Sequence, residues 1–187
     1  MRGRLLAAVL SLGLVGIVPA TAHAQGYLTP MAGVTFGKDA PATKFTTGAA
    51  LGFLGDSAGI EFEFGYTPDF FNEQGDFALI ADSNLTTFMG TLLFGLGKGP
   101  VRPYGAAGLG VVRSRLDAGD LFDPVTTNDT AVNVGGGVFI FFTDHVGVRG
   151  DFRYFRGLQD PSNDDDLDVS FGKFDFYRAY GAVAFKF

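Results

Sequence analysis

The chain contains no cysteine. Disulfide staples, thiolate metal ligands, a cysteine nucleophile and a lipid-anchoring cysteine are thereby excluded together, so stability must come from burial and backbone pairing. Histidine is nearly absent: His23 lies in the amino-terminal segment and only His145 follows it. Hydrolytic or acyl-transfer chemistry through a hydroxyl nucleophile needs a base within hydrogen-bond reach, and no His-x-Ser pair stands on any strand-like run. The expectation is a protein that is not an enzyme, with no catalytic residue, no cofactor and no metal. Positive charge is scarce, with 14 Lys and Arg against 20 Asp and Glu and a formal net charge of −6, which argues against nucleic acid as a partner. After Val18 no apolar run approaches the ~20 residues of a membrane helix. If this chain enters a membrane, it does so with strands.

The longest apolar run comes first. Arg2 and Arg4 precede Leu5 to Val18, and Pro19 leads to Ala22-His23-Ala24. The run is short for a span, and the small residues fit a cleavage site, so residues 1–24 are expected to be a secretory signal peptide, removed before Gln25. Two arginines leave with it, making the mature chain, residues 25–187, more acidic still.

What the sequence has in quantity is 21 Phe and 28 Gly. Aromatic and β-branched residues recur at every second position, and glycine throughout the same runs would weaken a helix. Eight segments read as strands: Tyr27–Phe36, Phe45–Leu54, Gly59–Tyr66, Asn84–Leu96, Arg102–Arg113, Ala131–Phe142, Val146–Arg156 and Phe174–Phe187. The stretches Gly37–Lys44, Thr67–Ser83, Ser114–Thr130 and Gly157–Lys173 read as long polar loops. Between them lie tight turns at Gly55–Ala58, Gly97–Val101 and Thr143–His145. In an up-and-down meander this alternation gathers the long loops at one end and the tight turns, with both termini, at the other.

Parity separates the faces. Ile60, Phe62, Phe64 and Tyr66 oppose Glu61 and Glu63; Val146, Val148, Phe152 and Tyr154 oppose Arg149, Asp151 and Arg153. Val132, Val134, Val138, Ile140 and Phe142 oppose Asn133, Gly135, Gly137 and Phe139. In the last segment Tyr177, Val183, Phe185 and Phe187 oppose Arg178, Tyr180 and Lys186. A soluble barrel or sandwich would turn the greasy face inward, whereas a transmembrane barrel turns it to lipid. The polar face is crowded with Gly48, Ala50, Gly52, Ala106, Gly108, Gly110, Ala182 and Ala184, which suits a narrow lumen better than a solvated surface. Aromatics near the segment ends, such as Phe36, Phe45, Tyr66, Phe142, Tyr154, Tyr177 and Phe187, suit an interfacial girdle. The expectation is an all-β fold, an eight-stranded antiparallel up-and-down transmembrane β-barrel.

"RPYGAAGLGV" (Arg102–Val111), "NVGGGVFIFFTDHVGVRGDFRY" (Asn133–Tyr154) and the closing "FYRAYGAVAFKF" resemble the small OmpA-like outer-membrane β-barrel domain of Gram-negative bacteria. The resemblance covers essentially the whole mature chain. It implies an outer-membrane location amid lipid and lipopolysaccharide, both termini in the periplasm, and a carboxy-terminal strand (Tyr177, Val183, Phe185, Phe187) similar to the signal read by the barrel-assembly machinery. It departs from larger OmpA-type proteins, which carry a peptidoglycan-binding domain after the barrel; no residues follow Phe187 here. The implied role is structural or interactive, with recognition of an extracellular ligand through four loops. A narrow or gated passive channel is the alternative, and a surface lipid-modifying enzyme is a more distant one.

The candidate site is the charged lumen set Glu61, Glu63, Arg149, Asp151, Arg153 and Arg178. Buried charges must pair, so these are expected to form a salt-bridge network filling a barrel too narrow for an open pore. The acidic stretch Asp160–Asp168 could share a hard cation, but it lacks the glycine and distal glutamate of an EF-hand loop and reads as solvated charge. Gly105–Gly110 mimics a dinucleotide fingerprint without the helix that motif requires, and reads as packing. Asp144 beside His145 reads as turn chemistry. Phe70, Phe71 and Phe122 read as rim or headgroup contacts.

Overall fold

A strand with unlike faces satisfies its amides sideways, and a set of such strands leaves no edge unpaired only by closing on itself. The computed structural model describes residues 24–37, 40–70, 82–117, 125–158 and 175–187. Among the described residues every regular element is a strand: β1 (Gln25–Gly37), β2 (Ala40–Leu54), β3 (Ala58–Pro68), β4 (Asp82–Phe94), β5 (Val101–Asp117), β6 (Val125–Phe141), β7 (Val146–Gly157) and β8 (Asp175–Lys186). Each pairs antiparallel with the next, and β1 pairs with β8 to close the barrel. The seam sets Tyr27 opposite Lys186 and Phe36 opposite Tyr177. The Phe187 N–H adds a bond to the Gly26 carbonyl at 2.9 Å, and the Phe187 ring covers the bare Gly26 backbone.

Eight strands and their faces match the sequence expectation, but several boundaries do not. The stretch Gly37–Lys44 is not a long loop: β2 begins at Ala40, and Gly37 and Ala40 are register partners after a shift between Thr35 and Gly37. Long and tight connections therefore do not alternate strictly. β5 runs on to Asp117 and β6 starts at Val125, although the sequence pattern predicts a loop over Ser114–Thr130. These extensions carry Thr, Ser, Asn and Arg, whose β-branched or extended-tolerant members pair well without an apolar alternation to announce them. At the tight-turn end β4 stops at Phe94; Gly95 (φ 92°) and Gly97 (φ 93°) take conformations that side chains disfavour, and they swing Leu96 under the barrel. There the Gly97 N–H reaches the Asp56 carbonyl at 2.6 Å and Lys98 pairs with Asp56 at 3.0 Å, tying two turns together. In the β6–β7 turn it is Thr143, not Asp144, that holds the reversal: its hydroxyl accepts the amides of His145 (3.3 Å) and Val146 (3.0 Å).

The faces are inverted relative to a soluble protein. Phe62, Leu92, Leu109 and Val134 are more than half exposed on the outside, whereas Glu61 and Arg153 are fully buried inside. On β5 the outward apolar residues run from Val101 to Val111; at ~3.3 Å per residue and a tilt of ~40° that is about 25 Å, the height of a membrane barrel's apolar band. Rings of Phe36, Phe152, Tyr154 and Tyr177 cluster near its long-loop edge, with centroids 5.1–6.4 Å apart. Glycine is not confined to the lumen, however. Gly136, Gly150 and Gly181 lie among the outward positions of β6, β7 and β8, lining a shallow external groove.

Residues 1–23, the acidic stretch Asp160–Asp168, Phe71 and Phe122 lie outside the described residues. Phe70 is described and does not rest on the rim: it turns into the barrel, fully buried, with its ring 6.2 Å from Phe176.

Candidate functional site

The inward side chains stack in three layers. Nearest the tight turns, Leu54, Leu93, Leu96, Phe139 and Phe141 form an apolar floor. Toward the long loops, Phe70, Leu85, Met89, Val112, Phe155 and Phe176 form an apolar roof. Between them lie the buried charged side chains of the described residues: Glu61 and Glu63 from β3, Arg149, Asp151 and Arg153 from β7, and Arg178 from β8. Three carboxylates meet three guanidiniums, so the layer is neutral.

The period of two aims them at one another. Glu61 and Glu63 are successive inward residues of β3, and Arg149, Asp151 and Arg153 are successive inward residues of β7 across the barrel. Glu61 accepts from both terminal nitrogens of Arg149 (Nη2 at 3.1 Å), from Arg153 Nη2 at 2.7 Å and from the Tyr27 hydroxyl at 2.6 Å. Asp151 accepts from Arg149 Nη2 at 2.8 Å, from Arg153 Nε at 2.9 Å and from the Tyr104 hydroxyl. Glu63 takes Arg153 Nη1 at 3.1 Å, Arg178 Nη1 at 3.3 Å and the Tyr180 hydroxyl at 3.2 Å. Arg178 also donates to Thr35 (3.2 Å) and Thr87 (3.0 Å), and hydroxyl contacts continue from Thr35 to Thr46 and Thr67. The guanidinium faces lie on aromatic rings, Arg149 at 4.8 Å from Phe139 and Arg178 at 4.8 Å from Phe155.

Desolvating an ion costs several kcal/mol, and that penalty is offset only when its other valences are met. Here each carboxylate meets at least three donors. The inward glycines provide the room: a Cβ at Gly65 would lie 2.5 Å from Arg178 Nη1, one at Gly137 2.5 Å from the Tyr104 hydroxyl, and one at Gly52 2.7 Å from the Tyr27 hydroxyl. Arg178 is the least satisfied cation, with its Nη2 buried and without a partner, as is the Asn133 Oδ1.

The structure thus brings all six sequence-derived lumen residues into one connected network. Sequence reasoning missed its neutral members, Tyr27, Tyr104, Thr35, Thr46, Thr67 and Thr87. Their inward parity, on β1 to β5 around the same lumen, was the available signal. Tyr177, Val183, Phe185 and Phe187 alternate outward on or just beyond β8, each at least a third exposed, apart from the network. His145 stands exposed in its turn, and the nearby Thr143 hydroxyl is engaged by turn amides.

Residues 5–177 match the family model of the outer membrane protein beta-barrel domain. No curated protein matches the chain. Among solved structures it is similar to Neisserial surface protein A, with 16% identity over 87% of this chain and 97% of that one and a TM-score of 0.67. It is also similar to the amino-terminal barrel of OprF from Pseudomonas aeruginosa, at 19% identity, 88% and 100% coverage and a TM-score of 0.56. A structure of Ail, the attachment invasion locus protein of Yersinia pestis, in complex with the heparin analogue sucrose octasulfate, aligns at 12% identity, 88% and 97% coverage and a TM-score of 0.54. At such identities the likeness is one of fold.

Proposed function

We propose, from the premise that the chain belongs to the outer membrane protein β-barrel domain family, that it is a closed outer-membrane barrel with a structural and surface-interaction role. It works through its exterior and loops rather than through its lumen, and it is not an enzyme. The observation that carries this reading is the layered interior, in which an apolar floor and an apolar roof enclose a neutral, interlinked charge layer. An ion crossing it would have to displace Phe70 and Phe176, then break pairs whose side chains are inaccessible to water. Residues 1–24 serve as the export signal and residues 25–187 as the barrel. Outer-membrane lipid and lipopolysaccharide surround it.

The outward alternation of Tyr177, Val183, Phe185 and Phe187 supports recognition by the barrel-assembly machinery, because Val183, Phe185 and Phe187 present an exposed apolar ridge beside the closing seam, with Tyr177 farther along the same face. Recognition of an extracellular ligand falls to the loops. The similar Ail structure holds a sulfated ligand, but the acidic Asp160–Asp168 stretch here opposes a polyanion at that loop and points to a neutral or cationic surface partner instead. Planar-bilayer recording tests the reading: purified barrel should insert without current steps, and reproducible unitary conductance would overturn it in favour of a channel.

A further inference from the structure

Removal of residues 1–24 makes Gln25 the first residue of the barrel, and an amino-terminal glutamine carries its own reaction partner. Its α-amine and its side-chain amide are spaced to close an unstrained lactam ring. Gln25 is exposed at the start of β1, where it lines a cavity of about 300 Å³ with Ala24, Asp144, His145, Lys186 and Phe187. Two backbone bonds frame that cavity: the Lys186 N–H donates to the His145 carbonyl at 2.7 Å, and the Phe187 N–H to the Gly26 carbonyl at 2.9 Å. They bring the β6–β7 turn, the end of β8 and the start of β1 to one place. The amides of His145 and Val146 go to the Thr143 hydroxyl, so the turn is held by Thr143 rather than by the exposed His145 imidazole. That imidazole is a proton acceptor at the rim of the cavity.

Ring closure at this position is compatible with the ladder. Backbone groups alternate in direction along a strand, and the Gly26 carbonyl faces β8, so the backbone of Gln25 faces β2, where Leu54 is its register partner. A lactam nitrogen keeps one N–H, and the ladder keeps its donor. Closure also removes a positive charge from a crowded mouth. There the Arg102 guanidinium and the Lys186 ammonium already share the Phe141 ring, at 5.2 and 4.8 Å from its centre, and a third cation would add repulsion.

We propose that Gln25 is a modification site, closing to pyroglutamate once residues 1–24 are removed, with His145 as the proton acceptor. The α-ammonium gives one proton to the imidazole, and the freed amine attacks the side-chain carbonyl carbon. The Nα–Cδ bond forms and the Cδ–Nε2 bond breaks. A second amine proton passes to the leaving nitrogen, which departs as ammonia, and the imidazolium returns its proton to water. Nothing is oxidised or reduced. The event occurs once per chain, so it is a maturation step and not turnover. The proposal rests on the export reading of residues 1–24.

The test isolates the barrel from the outer membranes of pulse-labelled cells, checks folding by unboiled gel migration and reads the intact mass over time. The chain should weigh one ammonia less than residues 25–187 and resist stepwise amino-terminal degradation. Gln25→Asn, whose shorter side chain does not reach ring size, should keep its full mass and be degraded from its first residue. His145→Ala should slow the loss of ammonia roughly a hundredfold, the low end for a positioned proton-transfer group, with gel migration unchanged. A barrel that begins at Gln25 and keeps its ammonia overturns the proposal, and so does closure of His145→Ala at the parental rate. Failure of the export reading looks different: the mass then includes residues before Gln25, or the first residue is another one, and both readings fall together.

Discussion

Replacing Glu61 with alanine removes the carboxylate that joins two arginines. Glu61 is fully buried and takes both Arg149 and Arg153, with Tyr27 as a third partner. Two charge-assisted contacts at roughly 1.5–3 kcal/mol each give a gross loss of ~3–6 kcal/mol, reduced because Glu61 no longer has to be desolvated. The guanidiniums then share Asp151 and Glu63, and the layer carries one uncompensated positive charge in a space walled by Phe139 and Leu93. The expected net cost is ~3–5 kcal/mol, the range for breaking one side of a buried pair. Because the chain has no tryptophan, urea unfolding of barrel in lipid vesicles is best followed by circular dichroism and the unboiled gel shift. Arg149→Met should cost a similar amount, and the double variant much less than the sum, with a coupling of at least ~2 kcal/mol. Two near-zero single effects that simply add would refute the argument that this layer is a mutually dependent network.

Gly65→Val should destabilise by ~1–3 kcal/mol, because its Cβ meets Arg178 and Thr87 within 2.7 Å, whereas Gly90→Ala, whose nearest contact would be 3.7 Å, should lie within ~0.5 kcal/mol of the parent; the two denaturation midpoints compared in one lipid check this. Phe70→Ala should cost ~3–5 kcal/mol by emptying the roof against Phe176 and Leu85, measured by the same unfolding curves, and a change under ~1 kcal/mol would place Phe70 outside the roof.

The period of two carried most of what could be read in advance. It separated Phe62 from Glu61 and Tyr177 from Arg178, and once the strand count fixed a narrow barrel, inward charges on β3, β7 and β8 had nowhere to go except toward one another. The same logic stopped short where both faces are polar. At Thr43 and Lys44, at Ser114 and Arg115, and from Thr126 to Asp129, nothing in the alternation distinguishes an extended ladder from a loop, so β2, β5 and β6 were read too short. Phe70 was misplaced for a different reason: a residue just after Asp69, whose φ is +50°, can turn in or out of a barrel mouth, and that choice depends on the Phe176 and Phe155 rings contributed from far along the chain. The tyrosine and threonine partners of the charges were visible as inward positions but not as ligands, since which hydroxyl meets which carboxylate depends on stagger around the barrel, a property of closure rather than of any one strand.

The account turns on which face meets lipid, and a charge placed on the outside tests that most directly. Phe62 points outward and is 61% exposed, so in a water-facing sheet Phe62→Arg would be tolerated within ~0.5 kcal/mol. In a bilayer it should lower the folding free energy by ~2–4 kcal/mol if it sits at mid-depth, measured by reversible unfolding in vesicles. An unchanged or increased stability, together with a variant that stays monodisperse without detergent, would contradict the lipid-facing assignment and the barrel reading with it.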